Sequence, residues 1–277
     1  MADRLHAAPR PAHVPILFVG GLHRSGTSAV ARLLAGSSRV RGLTGTGAPE
    51  DEGQHCQPVV TPASAHGGPG LFAFDPGSHL TEASPLVTSG NARRVLDAWL
   101  PFWHLSPGDR LGWAAPDRLV LLEKSPPNLV RTRFLQALFP DARFLVVIRH
   151  PGVVTMSTAR WQPTLAPTTL LRHWLHAHET LTADAAYVDH LHVLRYERLL
   201  ADPAGAVDEL TAALGVVGPF DMTALEPGHD EHHLEAWRAV ARRLAPTDTA
   251  GLESRVRRFG YTLHEPYCPP QAPAGTG

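Results

Sequence analysis

Four short apolar runs punctuate the chain, at residues 16–19, 119–122, 144–148 and 191–194. All four have the length of buried strands, and the first three are continuous rather than alternating, the pattern of a strand buried on both faces, whereas His192 interrupts the fourth. Between and after the runs, apolar residues recur at the three-to-four spacing of helices. Val30, Leu33 and Leu34 mark one such face from Thr27 to Ala35, and Gly36 follows as a suitable C′ residue. Leu129, Phe134, Leu135 and Leu138 mark a second after Ser125, with proline early in its first turn and Pro140 as its stop. Further helices are predicted after Pro151, over 170–185, over 204–214 before Gly215, and over 91–105. The last carries Val95, Leu96, Trp99, Phe102 and Trp103 as a core-facing stripe. Strands alternating with helices predict an α/β fold: a central parallel sheet with helices on both faces, three layers in all.

Residues 1–13 and 266–277 are rich in Pro, Ala and Gly and carry no apolar period, so they are expected to be flexible tails around one domain of residues 14–265. Inside that domain, residues 44–90 break the alternation. Gly, Pro, Ser and Thr dominate there, and Glu50-Asp51-Glu52 form an acidic cluster. So long a stretch without a period is unusual in a compact domain. It is a surface excursion, a run of unrecognised elements, or a cover over whatever site the first βα unit makes.

Composition narrows the partners. Twenty-five Lys and Arg against 26 Asp and Glu leave a formal charge of −1, so no global field draws nucleic acid or an acidic membrane, and any anion site must be local. Cys56 and Cys268 stand far apart without metal-ligand spacing, which fits neither a disulfide framework nor a zinc site and suits a reducing cytoplasm. The run 16–19 is too short for a signal-peptide core or a membrane span. Seventeen histidines reflect a compositional habit, so no single one is singled out by its presence.

The chemistry concentrates where the first run ends. Residues 21–28 read GLHRSGTS, a glycine turn opening into a helix, where backbone N–H groups, the helix N-terminus and hydroxyls converge on an anion. The spacing matches the nucleotide-triphosphatase loop GxxxxGK followed by Ser or Thr, except that Thr27 replaces the lysine and the positive charge sits on Arg24. An ATP or GTP site is thereby disfavoured, and a ligand-free turn is the alternative. The other runs lead into Glu123-Lys124-Ser125-Pro126, Arg149-His150-Pro151 and Arg195-Tyr196-Glu197. Parallel sheets bind ligands at their carboxyl ends, so four equipped termini predict one shared site. Arg149 closes a strand and Ser157 falls one to two turns into the next helix, within reach of a second anion.

Taken together, these segments resemble the sulfotransferases that use 3′-phosphoadenosine 5′-phosphosulfate (PAPS). The family motif (K/R)SGT(T/S) matches Arg24, Ser25, Gly26, Thr27 and Ser28, and a strand-end arginine followed eight residues later by serine matches Arg149 and Ser157. EKSP at 123–126, FPDARFLVVIRHP at 139–151 and RYERLLADP at 195–203 add to the likeness, which spans roughly residues 14–215. The resemblance implies a P-loop-like fold, a grip on the 5′-phosphosulfate by residues 24–28, and a 3′-phosphate site at Arg149 and Ser157. It implies transfer of a sulfuryl group to an acceptor hydroxyl, less often an amine, of a small molecule, glycan or peptide, releasing adenosine 3′,5′-bisphosphate without a metal. The phenol- and steroid-directed members carry a catalytic histidine where this chain has Pro126, which cannot act as a base. The chain looks closer to the tyrosyl-protein and polysaccharide type, whose base is a glutamate after the first βα unit. Glu52 is the first choice, then Glu50, then His55. Lys124 either neutralises charge on the leaving oxygen or pairs with Glu123. Tyr196 either contacts the adenosine or packs in the core, and Trp161 either stacks on a ligand or packs likewise. A P-loop kinase and an inactive nucleotide-binding module are the rival readings.

Overall fold

A computed structural model describes residues 14–113, 118–216, 218–225, 230–244 and 246–266. The expected tail 1–13 lies outside them, as does all of the tail 266–277 except Pro266. The sheet has five parallel strands among the described residues: β1 (Ile16–Gly21), β2 (Val40–Gly42), β3 (Val120–Lys124), β4 (Arg143–Ile148) and β5 (Leu191–Arg195), in the order β2-β3-β1-β4-β5. The register sets Val19 beside Lys124 and Ile148 beside Arg195, so the strand ends that carry polar motifs share one edge of the sheet.

The continuous apolar runs have a packing cause. On β1, Leu17 and Val19 join a core with Val30, Leu33 and Leu34 of α1 (Thr27–Ala35), whereas Ile16 and Phe18 join the opposite core with Trp99, Phe139 and Phe144. Both faces of the strand are sealed, and neither leaves room for a polar residue. Each fully buried large side chain contributes about 1.5–3 kcal/mol relative to exposure. A third cluster, around Trp174 of α5 (Pro167–Asp184) and Trp237 of α8 (Asp230–Ala241), closes the β4 side.

The structure departs from the sequence reading in several places. β2 is only three residues long and buries Val40 alone, too little to register as an apolar run. The helix expected after Ser125 is divided: residues Pro126–Val130 form a 3-10 turn, Arg131 leaves the helical region at φ −130 and ψ 10, and α3 (Thr132–Leu138) begins after it. The helix over 91–105 is α2 (Ser89–Trp99), after which Leu100–Trp103 tighten into a 3-10 turn that contains Pro101. The run 191–194 is not buried on both faces, since β5 ends the sheet and Val193 is 42% exposed. The helices after Pro151 and before Gly215 are α4 (Pro151–Ala159) and α7 (Pro203–Leu214), while α6 (Tyr196–Ala201), α8 and α9 (Pro246–Arg257) were not foreseen. Residues 44–90 are not structureless. They fold as successive 3-10 turns, at Pro49–Asp51, Gly53–His55, Ala63–His66, Phe72–Phe74 and Pro76–Ser78, and lead into α2.

Candidate active site

The loop after β1 is shaped by close packing. Gly21 has φ 149, and a Cβ there would stand 2.5 Å from the Val147 carbonyl oxygen and 2.7 Å from Ser25 Oγ. Arg24 and Gly26 adopt positive φ, 71 and 100, and a side chain on Gly26 would collide with the Tyr196 ring. A non-glycine residue in the left-handed region costs free energy, and such strain concentrates at functional sites. The turn delivers the chain into α1 with no side chain capping its first N–H groups, and Gly26, Thr27, Ser28 and Ala29 face a cavity of about 430 Å³. A free helix N-terminus on a cavity wall suits an anion. Ser25, expected as a hydroxyl donor there, is 1% exposed, lies off the cavity wall and keeps its Oγ buried without a partner.

The two anion-binding groups expected on opposite sides of the sheet end interlock instead. Arg24 Nε donates to Ser157 Oγ at 2.8 Å, and Arg149 Nη1 donates to the Arg24 carbonyl at 3.2 Å. The Arg24 guanidinium lies 4.6 Å over the ring of Trp161, which is 56% exposed and lines the cavity rather than the core. Burial, and then the adjacent Arg149 and Arg160, lower the Arg24 pKa from its usual value. Arg149 also pairs through Nη2 with Asp230, at the start of α8, while its buried Nε has no partner. Tyr196 does not reach the cavity. It is 4% exposed, supports Arg149 face-on at 4.5 Å and fills the space beneath Gly26. The fourth strand end is structural in the same way: Glu197 accepts from the His150 backbone N–H and the Tyr261 hydroxyl.

Across the cavity, the acidic cluster splits. Glu52 points inward, 8% exposed, and its Oε1 accepts from Lys124 Nζ at 3.0 Å. Its Oε2 accepts from Gln54 Nε2 and lies 3.8 Å from His55 Nε2. Lys124 therefore pairs with Glu52, not with the neighbouring Glu123. Glu50, the second choice of base, sits at the rim with its side chain 54% exposed, 3.4 Å from Arg32. Asp51 turns away, accepting from the Thr46 amide and hydroxyl, which hold its carboxyl below the ordinary range. Glu50 and Asp51 both take positive φ, 54 and 50, a double left-handed kink that aims these neighbours in different directions.

His23, His55, Gln54 and Pro126 complete this wall. Burial lowers His23 to a pKa of about 4, so the ring is neutral near pH 7. Sequence reasoning missed His23, Gln54 and Asp230. His23 lies within the glycine loop itself, a signal available in the sequence, whereas Asp230 reaches Arg149 from 81 residues away and left none. Among the described residues no group of three or more His, Cys, Asp or Glu is placed to hold a metal ion, and no helix is long and apolar enough to cross a membrane.

Comparison with known proteins bears on this geometry. The family model described as the sulfotransferase family matches residues 73–220, just over half of the chain, beginning downstream of both the glycine loop and Glu52. A curated relative, the omega-hydroxy-beta-dihydromenaquinone-9 sulfotransferase of Mycobacterium bovis, is 26% identical over 169 residues, covering 54% of this chain. The match spans only 43% of that relative's length. Among solved structures, the sulfotransferase domain of the Synechococcus olefin synthase aligns over 91% of this chain and 97% of its own, at TM-score 0.55 and 19% identity. The sulfotransferase domain from the curacin biosynthetic pathway aligns over 91% and 99%, at TM-score 0.52 and 16% identity. At such identities these two establish likeness of fold alone.

Proposed function

Since the chain belongs to the sulfotransferase family, we propose that it transfers a sulfuryl group from PAPS to an acceptor hydroxyl and releases adenosine 3′,5′-bisphosphate. The observation that carries this reading is the meeting, on the walls of one cavity, of a free α1 N-terminus, Arg24, Arg149 and Glu52, with Ser157 and Lys124 buried just behind them as the partners of Arg24 and Glu52. The helix N-terminus and the two arginines suit a donor with phosphate at both ends. The unpartnered Arg149 Nε is a donor awaiting an acceptor, and buried N–H groups are seldom left so. Thr27 in the position of the triphosphatase lysine counts against a kinase.

In this reading the α1 N-terminus and Arg24 hold the phosphosulfate, with Thr27 and Ser28 beside them, while Arg149 and Ser157 take the 3′-phosphate. Glu52 accepts the acceptor's proton as the oxygen–sulfur bond forms. Lys124, released from Glu52 Oε1, meets the negative charge that grows on the phosphate oxygen as its bond to sulfur breaks. As in phosphoryl transfer, positioning and charge stabilisation do the catalytic work. Trp161 offers an exposed ring to either ligand. The acceptor is a small molecule, glycan or peptide bearing a hydroxyl, bound against His23, His55 and Pro126; the single domain 14–265 and a cytoplasmic setting belong to the same proposal.

Calorimetry with adenosine 3′,5′-bisphosphate, adenosine 5′-monophosphate and ATP tests the donor site. The bisphosphate is expected to bind at least tenfold more tightly than the monophosphate, and equal affinities would sink the assignment. Incorporation of labelled sulfur from PAPS into compounds of a lysate tests transfer itself and separates an enzyme from an inactive binding module.

A further inference from the structure

The base-bearing wall has the hydrogen bonds of its own 3-10 turns, among them Glu52 N–H to the Pro49 carbonyl and Cys56 N–H to the Gly53 carbonyl, but bonds from distant elements hold it as well. Gly53, next to Glu52, donates its N–H to Glu123 Oε1 at 3.0 Å, and Gln54 donates its N–H to Ser125 Oγ at 3.0 Å. The Ser125 hydroxyl in turn donates to Glu123 Oε1 at 2.6 Å, and Asn128 Nδ2 donates to Glu123 Oε2 at 2.6 Å. On the other side, Trp99 Nε1 donates to the Gly53 carbonyl at 2.9 Å. The peptide groups flanking Gly53 are thus gripped from two elements, and a Cβ on Gly53 would stand 2.6 Å from Glu123 Oε1 and 2.9 Å from Trp99 Nε1. Glu123 and Ser125 are each 1% exposed, and neither lines the cavity that receives Glu52.

We propose that Glu123 and Ser125 are positioning residues for the transfer reaction, a clamp that fixes the backbone after Glu52 so that its carboxylate stays against Lys124. This rests on the sulfuryl-transfer reading above. The reason is geometric. Glu52 precedes Gly53 directly and Lys124 follows Glu123 directly, so the Gly53-to-Glu123 bond and the Glu52-to-Lys124 bond lie side by side and set one register between the cover segment and β3. An acid–base group must lie within hydrogen-bond reach of the proton it takes, and small misplacements are costly. Burial raises the Glu123 carboxyl to about 7, against the downward pull of Ser125 and Asn128, so the chain retains a costly buried acid where an apolar residue would pack.

The test compares Ser125→Ala and Glu123→Gln with the wild-type chain. The readouts are sulfuryl-transfer kinetics with PAPS, calorimetry with adenosine 3′,5′-bisphosphate, and hydrogen exchange of the peptide containing Gly53 and Gln54. Ser125→Ala is the gentler variant and serves if Glu123→Gln does not fold. A clamp predicts kcat lowered roughly tenfold in Ser125→Ala and further in Glu123→Gln, with KM and bisphosphate affinity within about twofold of wild type, and exchange at Gly53 and Gln54 at least tenfold faster. Unchanged kcat beside faster exchange would overturn the positioning role, as would a change confined to KM. Unchanged exchange would overturn the clamp. If the wild-type chain transfers no sulfuryl group, the functional reading falls and the positioning role with it, while the exchange rates still decide whether Glu123 holds the segment.

Discussion

The two walls of the cavity, the glycine loop at residues 20–28 and the acidic wall at residues 49–57, differ in how far their construction shows in their own residues. The loop carries its turn in its own residues, glycines at 21 and 26 and a left-handed Arg24 that bring the chain into α1 within a few residues, although Val147 and Tyr196 are what leave no room for a side chain at those glycines. The acidic wall closes two 3-10 turns with its own bonds, yet the bonds that fix it against the sheet come from elsewhere. Its position at Gly53 and Gln54 is set by Glu123, Ser125 and Trp99, from 46 to 71 residues away. The rest of the cover segment is tied down similarly, with Arg131 donating to the carbonyls of Thr61 and Ser78 and the Ala73 N–H donating to His173 Nε2. Short 3-10 turns leave many backbone groups unpaired, and buried side chains from the scaffold satisfy them. The residues of an anion loop can therefore announce themselves in a short motif, whereas the place of a base depends on a register between distant segments.

The comparison breaks most sharply at Glu52. If the acidic wall supplies the base and the glycine loop supplies binding, Glu52→Gln lowers kcat by about 10²–10⁴-fold and leaves adenosine 3′,5′-bisphosphate affinity near wild type. Steady-state kinetics and calorimetry on the same preparation check both halves, and an active Glu52→Gln enzyme would move the base to Glu50 or His55. The wall also carries a pH signature. Glu123 is raised from 4.5 to about 7 in the folded chain. Between those values the folded protein keeps a proton that the unfolded chain has released, so stability falls as pH rises from about 4.5 to about 7 and levels above that. At about 1.4 kcal/mol per unit the loss is of order 3 kcal/mol. Urea titrations across this range measure the slope, and Glu123→Gln should flatten it.

What could be read from the sequence follows the same division. The parallel sheet was legible because both faces of β1, β3 and β4 are sealed and force continuous apolar runs. The glycine loop was legible because steric demand at Gly21 and Gly26 leaves glycine as the residue that fits. The sequence ranks Glu52 before Glu50 and His55, but no local pattern distinguishes a residue facing Lys124 from one facing Arg32 or Thr46. The distinction lies in two consecutive positive-φ residues and in bonds to β3. Ser25 comes from a motif, which names residues without saying which of them face inward, and of the two readings of Tyr196 its 4% exposure fits core packing. β2 and the terminal helices were missed because β2 is short and α8 meets the site only through tertiary contacts.

On the loop side, Arg149→Ala should remove the contribution of the 3′-phosphate. A hydrogen bond to a charged group is worth about 1.5–3 kcal/mol, so affinity for adenosine 3′,5′-bisphosphate should fall roughly 10- to 150-fold, with little change for the 5′-monophosphate. An equal loss for both ligands would mean that Arg149 supports the loop through the Arg24 carbonyl rather than reading the 3′-phosphate.

Asp230 sharpens that distinction with a smaller effect. Its carboxylate occupies Arg149 Nη2 at the beginning of α8, with 30% of the side chain exposed. A 3′-phosphate that takes this donor must displace Asp230 or bind beside it, and either way it works against a like charge. A partly exposed ion pair is worth at most about 1 kcal/mol, so Asp230→Asn should tighten the bisphosphate roughly three- to fivefold. The gain should shrink in 0.5 M salt, because screening weakens the repulsion that the substitution removes. It should be absent for the 5′-monophosphate, which has no group to place there. A gain shared by both nucleotides would put the effect of Asp230 on the glycine loop, and a loss would make Asp230 a brace for Arg149 rather than its competitor for phosphate.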